Sequence, residues 1–206
     1  MQTLSHDAYL ALRAGATVLE RDLHGEKVLQ LEDDNYLKLF RRKRLISSAA
    51  WYPYAQRFTD NAAELGKRGI PCPEVTGVFR IAGFSRDAVR YLPLAGETLR
   101  QVIGAEAAPP DLPEKLGRFV ARLHESGIYF RSLHLGNIVL TPSGALGLID
   151  VADLRTQNRA LDNNRRKRNL LRLRRDPPDC FWFSGERKSV FDTSYASRLN
   201  GKIDKD

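Results

Sequence analysis

Between Leu112 and Asp150 the chain gathers residues able to hold a divalent cation and to move a proton. Arg131, Ser132, His134, Asn137 and Asp150 all fall within this span. Asn137 immediately precedes an apolar run, Ile138-Val139-Leu140, and Asp150 immediately follows another, Ala145-Leu146-Gly147-Leu148-Ile149. The intervening Thr141-Pro142-Ser143-Gly144 has the composition of a turn, so the two runs predict a short hairpin. That hairpin holds Asn137 before its first strand and Asp150 after its second. An amide oxygen beside a carboxylate suits Mg²⁺, which takes a few hard oxygen ligands and leaves its other positions to water and phosphate. Ser132 and His134 are the groups in the loop that could exchange a proton with a substrate, although a serine needs help to act as a base near neutral pH. Arg131 favours an anionic substrate group.

Other elements must position these residues. A short helix is expected over Ala8 to Arg13, followed by strands at Thr17–Glu20, Lys27–Leu31 and Tyr36–Phe40. In the third strand Leu37 and Leu39 share one face, while Lys38 shares the other with Tyr36 and Phe40. A lysine in that setting either binds an anion or guards an edge strand against aggregation. A helix is expected from Ser47 to Leu65, broken at Pro53, then strands at Glu74–Phe79 and Asp87–Leu92. Glu97 is placed to cap a helix beginning at Thr98. Asp111 and Glu114 read as a capping box for an amphipathic helix carrying Leu112, Leu116, Phe119, Val120 and Leu123, with Gly127 ending it. The aromatic run Phe181-Trp182-Phe183, with Phe191 beyond it, is expected to pack as core.

The loop reads Phe130-Arg131-Ser132-Leu133-His134-Leu135-Gly136-Asn137, with Ile149-Asp150 downstream. It resembles the catalytic and metal-binding loops of the protein-kinase-like superfamily, and within it the bacterial lipopolysaccharide (Kdo/heptose) kinase and toluene-tolerance family. The family loop commonly reads His-Gly-Asp-Leu-His-x-Gly-Asn, followed by Ile-Asp. Leu133, His134, Gly136, Asn137 and Asp150 match, whereas Ser132 stands at the position of the catalytic aspartate. The resemblance implies an α+β, two-lobed fold. Residues 1–93 would form a five-strand antiparallel N-lobe, and residues 94–206 a reduced, mainly helical C-lobe with a basic C-terminal segment. It further implies an ATP-dependent phosphotransferase acting on a hydroxyl of a core sugar or similar envelope-related acceptor, or a nucleotide-binding pseudokinase. Lys38 would contact the α- and β-phosphates of ATP, Asn137 and Asp150 would bind Mg²⁺, and Ser132, His134 and Asp150 would be the catalytic positions. A helix glutamate would pair with Lys38, with Glu64 and Asp60 among the charged candidates. The glycine-rich loop of the superfamily is reduced here to Gly25.

Composition bounds the partners. The chain has 206 residues, 42% hydrophobic and 28% charged, which is the balance of a globular domain with a real core. No apolar run reaches the roughly 20 residues that span a bilayer. The first residues lack the pattern of a secretory signal, so a cytoplasmic protein is expected. Cys72 and Cys180 are too few and too far apart for a disulfide framework or zinc site. Eight of the basic residues fall between Arg159 and Arg175, where Asp162 is the one acid, and Arg41-Arg42-Lys43-Arg44 forms a second cluster. Such patches favour anionic partners: phosphorylated sugars, anionic membrane at the inner leaflet or, with less support, nucleic acid. A solvated helix face is the alternative reading of the same run.

Overall fold

The computed structural model describes residues 1–42 and 52–200. The chain divides into two compact units. The first contains residues 1–67, 72–94 and 150–153, and the second contains 68–71, 95–149 and the chain from Leu154 onward.

The first unit is built on a six-stranded sheet. Its strands are β1 (Gln2–Leu4), β2 (Thr17–Asp22), β3 (Gly25–Gln30), β4 (Tyr36–Arg41), β5 (Glu74–Ile81) and β6 (Arg86–Leu92), in the order β1-β5-β6-β4-β3-β2. Five of these pair antiparallel, as the alternation of apolar and polar residues led one to expect. The sixth corrects the five-strand expectation: β1 adds to the edge parallel to β5, so the sheet is mixed. Three residues are too few to show a period of two, and only a tertiary partner makes Gln2–Leu4 a strand.

Helix α1 (His6–Ala14) begins at Ser5, whose hydroxyl accepts the amide of Ala8. It lays Tyr9 against Leu29, Leu31, Leu37, Leu39, Ile81 and Ala88, the buried cluster on one face of the sheet. On the other face Phe58 of α2 (Tyr54–Lys67) packs against Phe40 and Tyr91, with ring centroids 6.2 and 5.3 Å apart. The helix starts just past Pro53, a residue that cannot supply a helical amide to the turn before it. The earlier part of the expected helix, together with Lys43 and Arg44, lies outside the described residues.

The second unit is mainly helical. Strand β7 (Glu97–Thr98) pairs with β9 (Ile138–Leu140), and β9 pairs in turn with β10 (Leu146–Leu148), Leu140 opposite Leu146 and Ile138 opposite Leu148. The expected hairpin is therefore present. Gly96 has φ +122°, and a Cβ there would sit 2.2 Å from the Leu140 carbonyl oxygen, so the approach of β7 to β9 requires glycine. Helix α3 (Leu99–Gly104) is capped by Thr98, whose hydroxyl accepts the Gln101 amide while the Gln101 side chain accepts the Thr98 amide. Glu97 is thus a strand residue and not the cap.

Helix α4 (Leu112–Glu125) buries Leu112, Leu116, Phe119, Val120 and Leu123, as its spacing predicts. Asp111 sits at its N-cap but makes no capping bond. Its carboxylate instead meets Lys115, one turn along, at 2.9 Å. Strand β8 (Ile128–Phe130) pairs with β11 (Leu154–Thr156). Helices α5 (Asn163–Leu173), α6 (Pro177–Trp182) and α7 (Gly185–Asn200) complete the unit. Helix α7 packs across α4 at Gly117, where a Cβ would come within 2.6 Å of the Phe191 carbonyl oxygen. Trp182, Phe183 and Phe191 are buried in edge-to-face pairs, whereas Phe181 is 76% exposed and departs from the expected core role. Among the described residues no helix is long and apolar enough to cross a membrane, and both cysteines are free.

Candidate functional site

Lys38 lies in the middle of β4, between β3 and β6, opposite Val28 and Val89. It is therefore not an edge-strand guard. Its side chain is 10% exposed, and its ammonium meets Asp150 Oδ1 at 2.8 Å. An ammonium in an apolar setting is costly unless a carboxylate compensates it, and Asp150 does so here. The Phe40 ring adds a cation–π contact, with Lys38 Nζ 5.9 Å from its centroid.

Asp150 itself adopts φ +54°, a left-handed conformation uncommon for residues with a Cβ, and its side chain is about half exposed. Such strain persists where the surroundings enforce it. The enforcement is visible on both sides of Asp150. Before it, the Ile149 amide donates to the Asn137 carbonyl at 3.0 Å. After it, the Val151–Asp153 turn is held by the buried Asn61, whose Nδ2 donates to the Val151 carbonyl at 2.7 Å.

The acids expected on α2 are engaged elsewhere. Asp60 accepts from the Tyr52 hydroxyl (2.6 Å) and from Gln56 (2.9 Å), and Glu64 pairs with Lys67 at 2.8 Å. Asp150 is the carboxylate that meets Lys38.

The turn between β2 and β3, where a glycine-rich loop would lie, is fastened by side chains. Asp22 accepts the His24 amide at 2.7 Å, and the Arg86 guanidinium donates to the carbonyls of His24 and Glu26. Its backbone acceptors are thus satisfied within the sheet.

In the second unit, residues 131–137 run from the end of β8 into a short 3₁₀ turn, Leu135–Asn137, that leads directly into β9. Asn137 is buried, and its Nδ2 donates to the Ser132 carbonyl at 3.0 Å. This bond closes the loop on itself and leaves Oδ1 as the atom suited to a cation. Ser132 is half-buried and Arg131 exposed.

Beneath the loop lies a charged network. Asp179 is fully buried and accepts the Leu135 amide at 2.9 Å and both Nε and a terminal nitrogen of Arg100, each at 2.9 Å. Arg100 also reaches Asp176 (3.3 Å), which accepts from Arg172 at 2.6 Å. The Arg172 guanidinium, with help from Arg100, holds the Asp176 carboxyl below the ordinary range despite its partial burial. His134 turns into this network, its nearest nitrogen within 4.8 Å of carboxylate oxygens of Asp176 and Asp179. Burial first, then the charges of Arg172 and Arg100, lower its pKa, so the ring is neutral at pH 7. Behind the loop, Asn169 bonds both the carbonyl (2.8 Å) and the amide (3.4 Å) of Phe130.

The structure thus brings Lys38 to Asp150, and Asn137 to Ser132. His134 joins the supporting network. Arg100, Asp176, Asp179, Asn61 and Asn169 are the residues sequence reasoning missed. Asp176-Pro177-Pro178-Asp179 carried one usable signal, an acid followed by proline at the first helical position, which marks the start of α6. Nothing in that signal pointed to the loop.

No family model matches this chain, and no curated protein sequence matches it. Solved structures match its fold. A medium-resolution structure of the bifunctional kinase-methyltransferase WbdD aligns with a TM-score of 0.51 at 14% identity, covering 84% of this chain and 42% of WbdD. A 2.2 Å crystal structure of WbdD gives 0.51 at 13% identity, covering 84% and 43%. The co-crystal structure of WbdD with the kinase inhibitor LY294002 gives 0.50 at 14%, over the same shares. The chain spans well under half the length of that protein. At this identity the likeness establishes the fold, and the fold is protein-kinase-like.

Proposed function

We propose that this chain is an ATP-dependent phosphotransferase of the lipopolysaccharide-kinase type. Its acceptor is a hydroxyl on an anionic sugar of the envelope or a chemically similar group. The observation that carries this reading is the Lys38–Asp150 pair: a buried ammonium on β4, an interior strand of the mixed sheet, meeting a carboxylate held at positive φ. A scaffold gains nothing from keeping a charge there, since a well-packed apolar residue is usually as stable or more so. The kinase in the name of the similar protein WbdD supports the same class.

Asp150 and Asn137, the pair that the loop's resemblance implies, are the ligands proposed for Mg²⁺ with a nucleotide. Asp150 offers a half-exposed carboxylate and Asn137 offers Oδ1, both hard oxygen ligands. Bound there, Mg²⁺ would neutralise charge on the transferring phosphoryl group. Lys38 would hold the α- and β-phosphates. The Asp179–Arg100 network fixes the backbone at Leu135 and so the position of Ser132 and Asn137, and Arg131 attracts the anionic acceptor. Contact with anionic membrane through Arg159–Arg175 would serve the same acceptor class.

Ser132 favours a second reading, a nucleotide-binding pseudokinase that regulates or scaffolds a partner. A serine is a weak base, and His134, half-buried beside Asp176, Asp179 and the guanidinium groups of Arg172 and Arg100, is poorly placed to replace an aspartate.

Calorimetric titration with ATP, with and without Mg²⁺, tests the common ground of both readings. Mg²⁺-dependent binding that is lost in Asp150→Ala and Lys38→Met is the expected result. No binding by the wild-type chain at any Mg²⁺ concentration refutes them. Turnover on sugar acceptors separates the two. A phosphotransferase limited by its base gains about 10²–10⁴-fold in rate in Ser132→Asp, with ATP affinity unchanged.

A further inference from the structure

The strands β2 and β3 are not in simple register. Glu20 faces Val28 and Arg21 faces Glu26, so Lys27 has no residue opposite it and forms a bulge. The consequence is a break in alternation. Glu26 turns to the face of α1, where Arg13 grips both its carboxylate oxygens, and Leu29 belongs to the cluster on that same face. Val28 pairs with Lys38 on the opposite face. With Glu26 and Leu29 on one side, the two residues between them are both delivered to the other. Bulges recur next to active sites because they re-aim a side chain in this way.

Lys27 is consequently presented on the side of the sheet that carries Lys38 and Asp150. Its ammonium pairs with Glu20, and both side chains remain partly exposed, at 34% and 47%. The local electrostatics agree. The Lys27 ammonium is held above its ordinary value first by the hydrogen bond it donates to Glu20, with the charges of Glu20, Asp150 and Asp22 adding to it. The buried Tyr91 hydroxyl, on the same face, is raised chiefly by burial and then by the charges of Asp150, Tyr36 and Glu20. Lys27, Glu20, Tyr36, Tyr91, Lys38 and Asp150 thus share one electrostatic environment within the first unit.

The β2–β3 turn, by contrast, has little backbone to offer a phosphate. Glycine occurs in it once, Asp22 already takes the His24 amide, and Arg86 pins the turn through the carbonyls of His24 and Glu26. A loop of that kind cannot fold over a triphosphate with successive amides, as glycine-rich loops do.

We propose that Lys27 is a second phosphate-binding cation of the nucleotide site, re-aimed by the bulge and held in reserve by Glu20, substituting a side-chain ammonium for the missing glycine-rich loop. This rests on the nucleotide-binding reading above. Glu20 is the counter-ion when the site is empty of phosphate; on binding, Lys27 exchanges the carboxylate for a phosphate oxygen and Glu20 turns to solvent. No covalent step is involved.

The test is calorimetric titration of the whole chain with MgATP and, separately, with adenosine. The proteins are wild type, Lys27→Met, Lys27→Arg, Glu20→Gln and Lys38→Met, with thermal melts as the folding control. A partly exposed charge-assisted contact predicts that Lys27→Met weakens MgATP about tenfold while leaving adenosine unchanged. Lys27→Arg keeps most of the affinity, and Glu20→Gln binds MgATP as tightly as wild type or more so, because the competing carboxylate is gone. The proposal is overturned if Lys27→Met binds MgATP like wild type while Lys38→Met loses it. Equal losses for MgATP and adenosine also overturn it, since they show a structural effect on the sheet. If Lys27→Met does not fold, Lys27→Arg and Glu20→Gln decide: a tenfold loss in Glu20→Gln contradicts the exchange. Absence of binding by wild type brings down the nucleotide reading, a result distinct from all of these.

Discussion

Replacing Asp179 with alanine removes a buried carboxylate that joins the loop to its support. Three hydrogen bonds go with it, two from Arg100 and one from the Leu135 amide. Breaking a fully buried ion pair by deleting one partner costs about 3–5 kcal/mol, because the other charge is left uncompensated. Arg100 is 38% exposed and keeps Asp176 at 3.3 Å, so solvent and that second carboxylate reduce the cost. The expected loss is about 3 kcal/mol, part of it from the stranded Leu135 amide. Urea denaturation followed by tryptophan fluorescence measures it, since Trp182 lies three residues from Asp179 on α6. Hydrogen exchange at the Leu135 amide reports the local effect. The double variant Arg100→Met/Asp179→Ala is expected to lose less than the sum of its single variants, with a coupling of at least about 1 kcal/mol. A loss below about 1 kcal/mol with unchanged exchange at Leu135 refutes the view that this network holds the loop.

Two other expectations follow from the second unit. His124 is fully buried with its Nδ1 2.8 Å from the Tyr195 hydroxyl, and burial pushes its pKa down to about 4. The unfolded chain therefore takes up a proton at this histidine near pH 6.5 while the folded chain does not, so stability is full above that pH and falls between about 6.5 and 4. Between pH 7 and pH 5 the loss is about 2 kcal/mol in denaturation experiments, and His124→Phe should flatten that slope if it folds. Helix α5 presents Lys167 and Arg168 to solvent beside the exposed Leu171. Cosedimentation with vesicles containing anionic lipid should fall in Lys167→Glu/Arg168→Glu and with added salt, and binding that ignores both changes would count against a membrane role for this helix.

The hairpin between Asn137 and Asp150 was legible in the sequence because its two strands and its turn are neighbours along the chain. Two apolar runs of strand length and a Thr-Pro-Ser-Gly turn fix the β9–β10 hairpin without help from distant residues, and the hairpin fixes which residues precede and follow it. The strand alternation around Lys38 was legible for the same reason, since successive side chains of a strand point to opposite faces whatever covers those faces. These patterns determined the element types, the antiparallel strands and the candidate metal ligands.

Tertiary structure decided the rest. Gln2–Leu4 becomes a strand only because the edge of β5 is there to pair with it. The bulge at Lys27 leaves no mark in composition, yet it reverses the face on which a charged side chain emerges. Asp179 and Arg100 stand 79 residues apart, and their joint role beneath the loop arises from packing in the second unit. The partner of Lys38 also depended on packing: acids on α2 were plausible from spacing, but Tyr52, Gln56 and Lys67 engage them, and Asp150, fixed at positive φ after Ile149, meets the ammonium. Periodicity specifies which face a residue belongs to, whereas ion pairing between distant segments depends on distances that exist only once the chain has folded.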